Sequence, residues 1–254
     1  MRSSTISAAF LSFAASAFAA SKTLDVDFSD FTGTAQSEVE PWLNKKGLGV
    51  ADWSIDDSPY SYTYSPSNCD IYKGNLRLKV MGQDGGDIVG CEVFTNDDTI
   101  LYGTFTAVAK ASKVPGVCQG IFTYTDDNNE IDIELLSSYY SGKNNYVSPG
   151  LQFTNQPLVE GEDETNTAVA YSADGVEFDP TADFHEYKFE WKEGRVRFFL
   201  DGELKTTFTD NVPSQPAQFI LNNWSNGDKY WSAGPPTEDS YFLIQSIHLE
   251  YTTA

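Results

Sequence analysis

The sequence predicts an all-β fold, a jelly-roll sandwich of two antiparallel sheets, on three observations. Short segments rich in β-branched and aromatic residues recur along the chain, many with period-two alternation. Clusters of Gly, Pro, Asn and Asp separate them at strand-length intervals. No heptad, internal repeat or useful stretch of amphipathic helix interrupts the pattern. Ten or more strands without helices must cover their apolar faces, and two large sheets packed face to face do so. The length of 254 residues suits one large all-β domain.

The first element is read as a leader. MRSSTISAAFLSFAASAFAASK carries Arg2, an apolar run from Ile6 to Phe18, and Ala17 and Ala19 in an A-x-A cleavage pattern. The run falls short of the roughly 20 residues that span a bilayer, so export is favoured over anchoring. Residues 1–19 are expected to be a secretory signal peptide and residues 20–254 a single domain. No later segment is long and apolar enough to span, and the final IHLEYTTA lacks the hydrophobic tail of a lipid-anchor signal. A secreted, extracellular, soluble protein is expected.

Charge narrows the partners. The chain holds 16 Lys+Arg and 37 Asp+Glu, and losing Arg2 with the leader leaves 15 against 37, a formal charge of −22. Such acidity repels phosphate backbones and anionic lipid, so neither nucleic acid nor membrane is an expected partner. A neutral substrate is. Nothing points to an oligomer, and a monomer is expected.

Of the three cysteines, Cys69 and Cys91 are expected to form a disulfide around GNLRLKV, worth about 3 kcal/mol by loop closure. Cys118, within GVCQGIFTY, reads as a small buried core residue.

The strand candidates in order are NLRLKVM, TILYGTFTAVAKA, QGIFTYT, EIDIELL, GLQFT, TAVAYSA, HEYKFEW, RVRFFLDG, AQFILNNW and FLIQSIHLEYT. KEGR at 192–195 and DG at 201–202 are tight-turn sequences, which makes residues 185–208 a three-stranded meander. EGEDET at 160–165 reads as a solvated loop.

EIDIELL carries the chemistry. Side chains at i, i+2 and i+4 of a strand share a face, so Ile131, Ile133 and Leu135 point inward while Glu130, Asp132 and Glu134 point outward together. Three like charges on one face repel, and Asp and Glu are disfavoured in strands, so a purely structural strand has little reason to carry them. Retaining glycoside hydrolysis does: it needs one carboxylate to attack the anomeric carbon and a second carboxyl to protonate the departing oxygen. The shorter Asp132 between them can hydrogen-bond the nucleophile, and its charge helps to keep the acid protonated.

E-I-D-I-E resembles the catalytic motif of glycoside hydrolase family 16. ILYGTF (100–105), IFTYT (121–125), FHEYKFEW (184–191), RVRFFLDGELK (195–205) and LNNW followed by Trp231 resemble, in order and spacing, the lichenase branch of that family. The resemblance spans roughly residues 65–251. It implies a concanavalin A-like jelly roll with a concave substrate cleft, and makes Glu130 the nucleophile, Asp132 the assisting acid and Glu134 the general acid/base. The uninterrupted spacing resembles the lichenase and cell-wall transglycosylase branches more than the laminarinase branch.

The resemblance also assigns a substrate surface: Trp224 and Trp231 as sugar platforms, with Asn222 and Gln152 as polar contacts. His185 is expected to support the site through hydrogen bonds, and Trp191 to be core. A glycan on the sequon Asn223-Trp224-Ser225 would sit in the cleft, so the sequon is expected to be unused. Asn128 replaces an aromatic residue of the lichenase pattern, and Thr95 a basic one. The stretch QSIHLEY, where the family's calcium site often has an acid, holds no Asp, and no metal or cofactor is expected.

The implied activity is a secreted retaining endo-β-glucanase acting on β-1,3/1,4- or β-1,3-glucan. A cell-wall glucan transglycosylase, which WSAGPPTEDSYF somewhat resembles, shares the same machinery. A non-catalytic glucan lectin would have no reason to keep both Glu130 and Glu134.

Overall fold

A computed structural model describes residues 21–83, 87–140, 151–157, 166–169 (backbone only) and 178–254. The leader and EGEDET lie outside these residues, as does the end of TAVAYSA. In chain order the elements are β1 (Lys22–Asp27), α1 (Val39–Lys45), β2 (Leu48–Val50), β3 (Ser54–Ile55), β4 (Tyr62–Tyr64), β5 (Cys69–Tyr72), β6 (Asn75–Val80), β7 (Ile88–Thr95), β8 (Ile100–Lys110) and β9 (Cys118–Asp126). There follow β10 (Asn129–Leu136), a single helical turn α2 (Ser137–Tyr140), β11 (Leu151–Gln156), β12 (Asn166–Val169), β13 (His185–Lys192), β14 (Arg195–Leu200), β15 (Glu203–Phe208), β16 (Gln218–Trp224) and β17 (Ser240–Thr253).

The strands form the expected sandwich. One sheet of eight runs β15-β14-β13-β8-β17-β6-β5, with β1 also on β17; the other, of nine, runs β12-β11-β10-β9-β16-β7-β4-β3, with β2 also on β7. Two expectations need correction. The pairing is antiparallel except where β4 runs parallel to β7, Tyr62 opposite Ile88. The chain leaves β4 for β5 and β6 in the other sheet before returning as β7, and such a crossover leaves the two strands pointing the same way.

The second correction is α1, a seven-residue helix. The Glu38 carboxylate accepts the Thr34 and Ala35 N–H groups, both at 2.9 Å, ahead of the helix. Pro41 is tolerated in its first turn, and Gly47 follows its end at φ +85°. It buries only Val39 and Leu43, with Trp42 set edge-on to Phe31 at 5.5 Å, too short a stripe to register as periodicity.

The meander is as read: β13, β14 and β15 pair in sequence, with Gly194, Asp201 and Gly202 at positive φ in its turns. Inward-facing residues fill the space between the sheets, where Phe105 stacks on Phe189 at 4.8 Å and on Phe219 at 5.8 Å. Trp191 is fully buried, and its indole N–H donates to the Pro213 carbonyl at 2.9 Å. Cys69 on β5 and Cys91 on β7 form the expected disulfide, Cα to Cα 5.4 Å, and staple the two sheets together.

Candidate active site

β10 is the third strand of the nine-stranded sheet, between β9 and β11. Ile131, Ile133 and Leu135 are fully buried between the sheets, so Glu130, Asp132 and Glu134 occupy the outer face. No register shift occurs between Glu130 and Leu136; the irregularity lies just before, where Thr125 is skipped between Asn129 and Glu130.

Register assembles the site in rows across five strands. Gln152, Glu134, Gly120, Asn222 and Glu92 lie side by side, and Thr154, Asp132, Phe122, Ile220 and Phe94 form the next row. Glu130 heads a third row with Gln156, Tyr124 and Gln218. Above these rows is a cleft of ≈ 710 Å³, walled at one side by Trp53, Phe94, Tyr62 and Trp224. All three carboxyls of β10 line it.

Burial raises all three. Asp132 is pushed well above the usual carboxylate range, first by burial and then by the charges of Glu130 and Glu134, so it keeps its proton. The expectation that its charge helps to keep Glu134 protonated is thereby corrected, and burial takes that part. It shares a hydrogen bond with Glu130, which burial also raises but which that bond favours as the anion. Glu134 is raised by burial, while the Cys118 thiol and Trp231 indole that donate to its Oε1, at 3.0 and 3.2 Å, hold it down.

Trp224 lies in the cleft, stacked on Tyr62 at 5.3 Å. Trp231 takes a different part: its N–H reaches Glu134 from a loop fastened by Ser225 to Ser232 and Ser232 to Asn226. Asn222 lines the cleft, oriented by the Gly120 N–H on its Oδ1 at 3.1 Å, with its amide nitrogen 3.1 Å from the Tyr64 hydroxyl and 3.3 Å from Glu92. Gln152 stands beside Glu134 but is only 2% exposed, and it does not line the cleft.

Several sequence expectations change. Cys118 is buried but faces Glu134 instead of the core between the sheets. His185 belongs to the opposite sheet, where its Nδ1 lies 2.8 Å from Asp201, so it does not support the site. Thr95 turns inward, its hydroxyl bonded to the Phe219 N–H and the Asp97 carbonyl, and Phe94 takes the cleft face of β7. Asn128 sits exposed in the β9–β10 turn. Asn223 of the sequon is buried, with its amide donating to the Leu78 carbonyl, so a glycan there is excluded by burial instead of by the cleft.

Glu92, Tyr64, Trp53, Phe94 and Gly120 escaped the sequence reading. Glu92 had a signal: a lone acid inside the otherwise apolar IVGCEVFT. Burial pushes it up to about 7, and its bonds to Asn222 and Tyr64 oppose the rise.

The geometry has counterparts. A β-glucanase of Paenibacillus polymyxa is 26% identical over 212 residues, covering 78% of this chain and 79% of that protein. One from Bacillus licheniformis is 26% identical over 224 residues, covering 80% and 82%. Among solved structures, a β-1,3-1,4-glucanase (lichenase) from a mouse hindgut metagenome superposes with TM-score 0.66 at 21% identity, covering 91% of this chain and 99% of that one. The laminarinase catalytic domain of Thermotoga maritima gives 0.62 at 19%, covering 91% and 97%. These structural likenesses establish the sandwich fold. Residues 56–241, well over half of the chain, match the sequence model of the glycosyl hydrolases family 16, and the chain belongs to that family.

Proposed function

We propose that the protein is a secreted endo-β-glucanase that cleaves β-1,3/1,4- or β-1,3-glucan with retention. The observation that carries this reading is the cleft face of β10, where a protonated Asp132 bonds Glu130 and two donors fix Glu134. Glu130 is the nucleophile. With the shared proton on Asp132, its carboxylate is free to attack the anomeric carbon as the glycosidic bond breaks, forming a covalent glycosyl-enzyme. Glu134 gives its proton to the departing oxygen, then takes one from the water that releases the sugar.

The aromatic wall supports a neutral polysaccharide. Trp53, 45% exposed, lies 5.6 Å from Phe94, and with Trp224 it offers faces for the C–H surfaces of sugar rings. The relatives named β-glucanase support the β-glucan assignment. Secretion rests on the leader-like residues 1–19 and agrees with a disulfide. Residues 20–254 act as a single monomeric domain.

The test is hydrolysis of mixed-linkage and β-1,3-glucan, with the first-formed anomer read by NMR and product linkages determined. Retention is expected, together with a loss of about 10²–10⁴-fold or more in Glu130→Gln and Glu134→Gln. Inversion, or full activity in Glu130→Gln, would reject the reading. Adding an oligosaccharide acceptor separates hydrolysis from transfer: longer products in preference to hydrolysis would favour the transglycosylase.

A further inference from the structure

Cys118 is the chain's one free thiol, since Cys69 and Cys91 pair with each other. Register places it opposite both Leu136 and Trp224, one row beyond Glu134, on the same face of the sheet. Its Sγ lies 3.0 Å from Glu134 Oε1. The Trp231 indole nitrogen lies 3.2 Å from the same oxygen. The two donors arrive independently, one from β9 and the other from the loop after β16.

We infer that Cys118 is a positioning residue which, with Trp231, occupies Glu134 Oε1 and so confines the acid/base proton to Oε2. This rests on the assignment of Glu134 as general acid/base. A carboxyl oxygen that accepts two hydrogen bonds is a poor place for a third proton, so the acid form carries its hydrogen on the other oxygen. When that proton passes to the leaving group, the new charge on Oε1 meets two donors already in place. A buried carboxylate needs such partners, and none must reorganise at the moment of transfer.

The thiol suits the task because it stays a thiol. Burial, then the charge of Glu134, raise it well above the usual range, so S–H remains a donor whether Glu134 is neutral or charged. Among the described residues, the other titratable groups facing this corner of the cleft are Asp132 and Glu130 on its own strand, Glu92 on β7 at the end of its row, and Tyr62 and Tyr64 on β4, whose hydroxyls burial holds in the protonated form. From β11 it is flanked by Gln152, which does not titrate.

Cys118→Ala removes one donor from the anionic form of Glu134. The alkaline limb of kcat/KM against pH should therefore move up by about 0.5–1 pH unit. Cys118→Ser keeps a donor and should restore most of the wild-type profile. A limb that stays in place or moves down in Cys118→Ala overturns the inference, as does a Cys118→Ser profile that matches the alanine variant. If the alanine variant fails to fold, the wild-type S–H stretching band is read by Raman spectroscopy. It should be shifted as for a strong donor and should move in Glu134→Gln; a band unchanged by Glu134→Gln overturns the inference. Failure of the functional reading looks different, because Glu130→Gln would then retain hydrolysis whatever Cys118 does.

Discussion

Glu92→Gln should make the protein more resistant to heat at alkaline pH and leave it little changed in acid. Glu92 is 6% exposed on β7, hydrogen-bonded to Asn222 and Tyr64, and burial raises it from an ordinary 4.5 to about 7. As pH climbs between those values, the unfolded chain releases this proton while the native state keeps it. The stabilising contribution present below pH 4.5 is thus lost progressively through about pH 7. At 1.36 kcal/mol per pH unit the loss reaches about 3 kcal/mol. Glutamine cannot ionise, and its carbonyl can still accept from Tyr64. For a chain of this size the difference corresponds to about 6–12 °C in Tm. Calorimetry of both proteins from about pH 4 to about pH 9 should show the gap open with pH and then level off. Both proteins keep the three carboxyls of β10, so their titration cancels in the comparison. A gap that is constant across the range would mean that Glu92 titrates alike in native and unfolded chains and that its burial costs nothing.

Three further outcomes follow from the cleft and the core. Trp224→Ala removes a sugar-facing ring together with its stack on Tyr62 and should raise KM by about 10–100-fold with a smaller change in kcat; Trp224→Phe should recover part of the loss. Gly120→Ala puts a methyl 2.6 Å from Asn222 Oδ1 and 3.2 Å from Phe122. Overpacking there should cost about 1–3 kcal/mol in thermal unfolding and lower activity by displacing Asn222. The double variant Cys69→Ser/Cys91→Ser opens a cross-link spanning 22 residues and should lose about 3 kcal/mol. Reduction of the wild type should lower Tm as far as the double substitution does, by about 6–12 °C, and an unchanged Tm would mean that the bond contributes nothing.

The sequence alone determined which residues face which way. Period-two alternation sends Ile133 to the core and Glu134 to the cleft whatever the neighbouring strands do, because the pleat is a local property of the backbone. Asn222 and Trp224 came from the family resemblance, and their spacing of two agrees with the same rule; the turn residues of KEGR and DG marked the meander. Most of the long strands were legible for this reason, and the pentapeptide EIDIE with them; β7 was missed despite its eight residues, because IVGCEVFT is buried along most of its length and does not alternate.

Tertiary structure decided which residues share a row. Gln152, Glu134, Gly120, Asn222 and Glu92 come from five strands, with Gln152 and Glu92 at opposite ends. Nothing local to any of these strands fixes how it slides along its neighbour. Thr95 and Phe94 show the sensitivity: a step of one residue exchanges core for cleft. Cys118 shows the same limit, since its apolar surroundings in sequence suit a core thiol, and only register and the loop carrying Trp231 bring it against Glu134. Short elements such as β2, β3 and α1 were invisible because two to seven residues hold too few alternations to make a period, and they are held by packing against longer strands. Pattern therefore assigned the chemistry to one strand, while long-range pairing set the environment that decides where its protons reside.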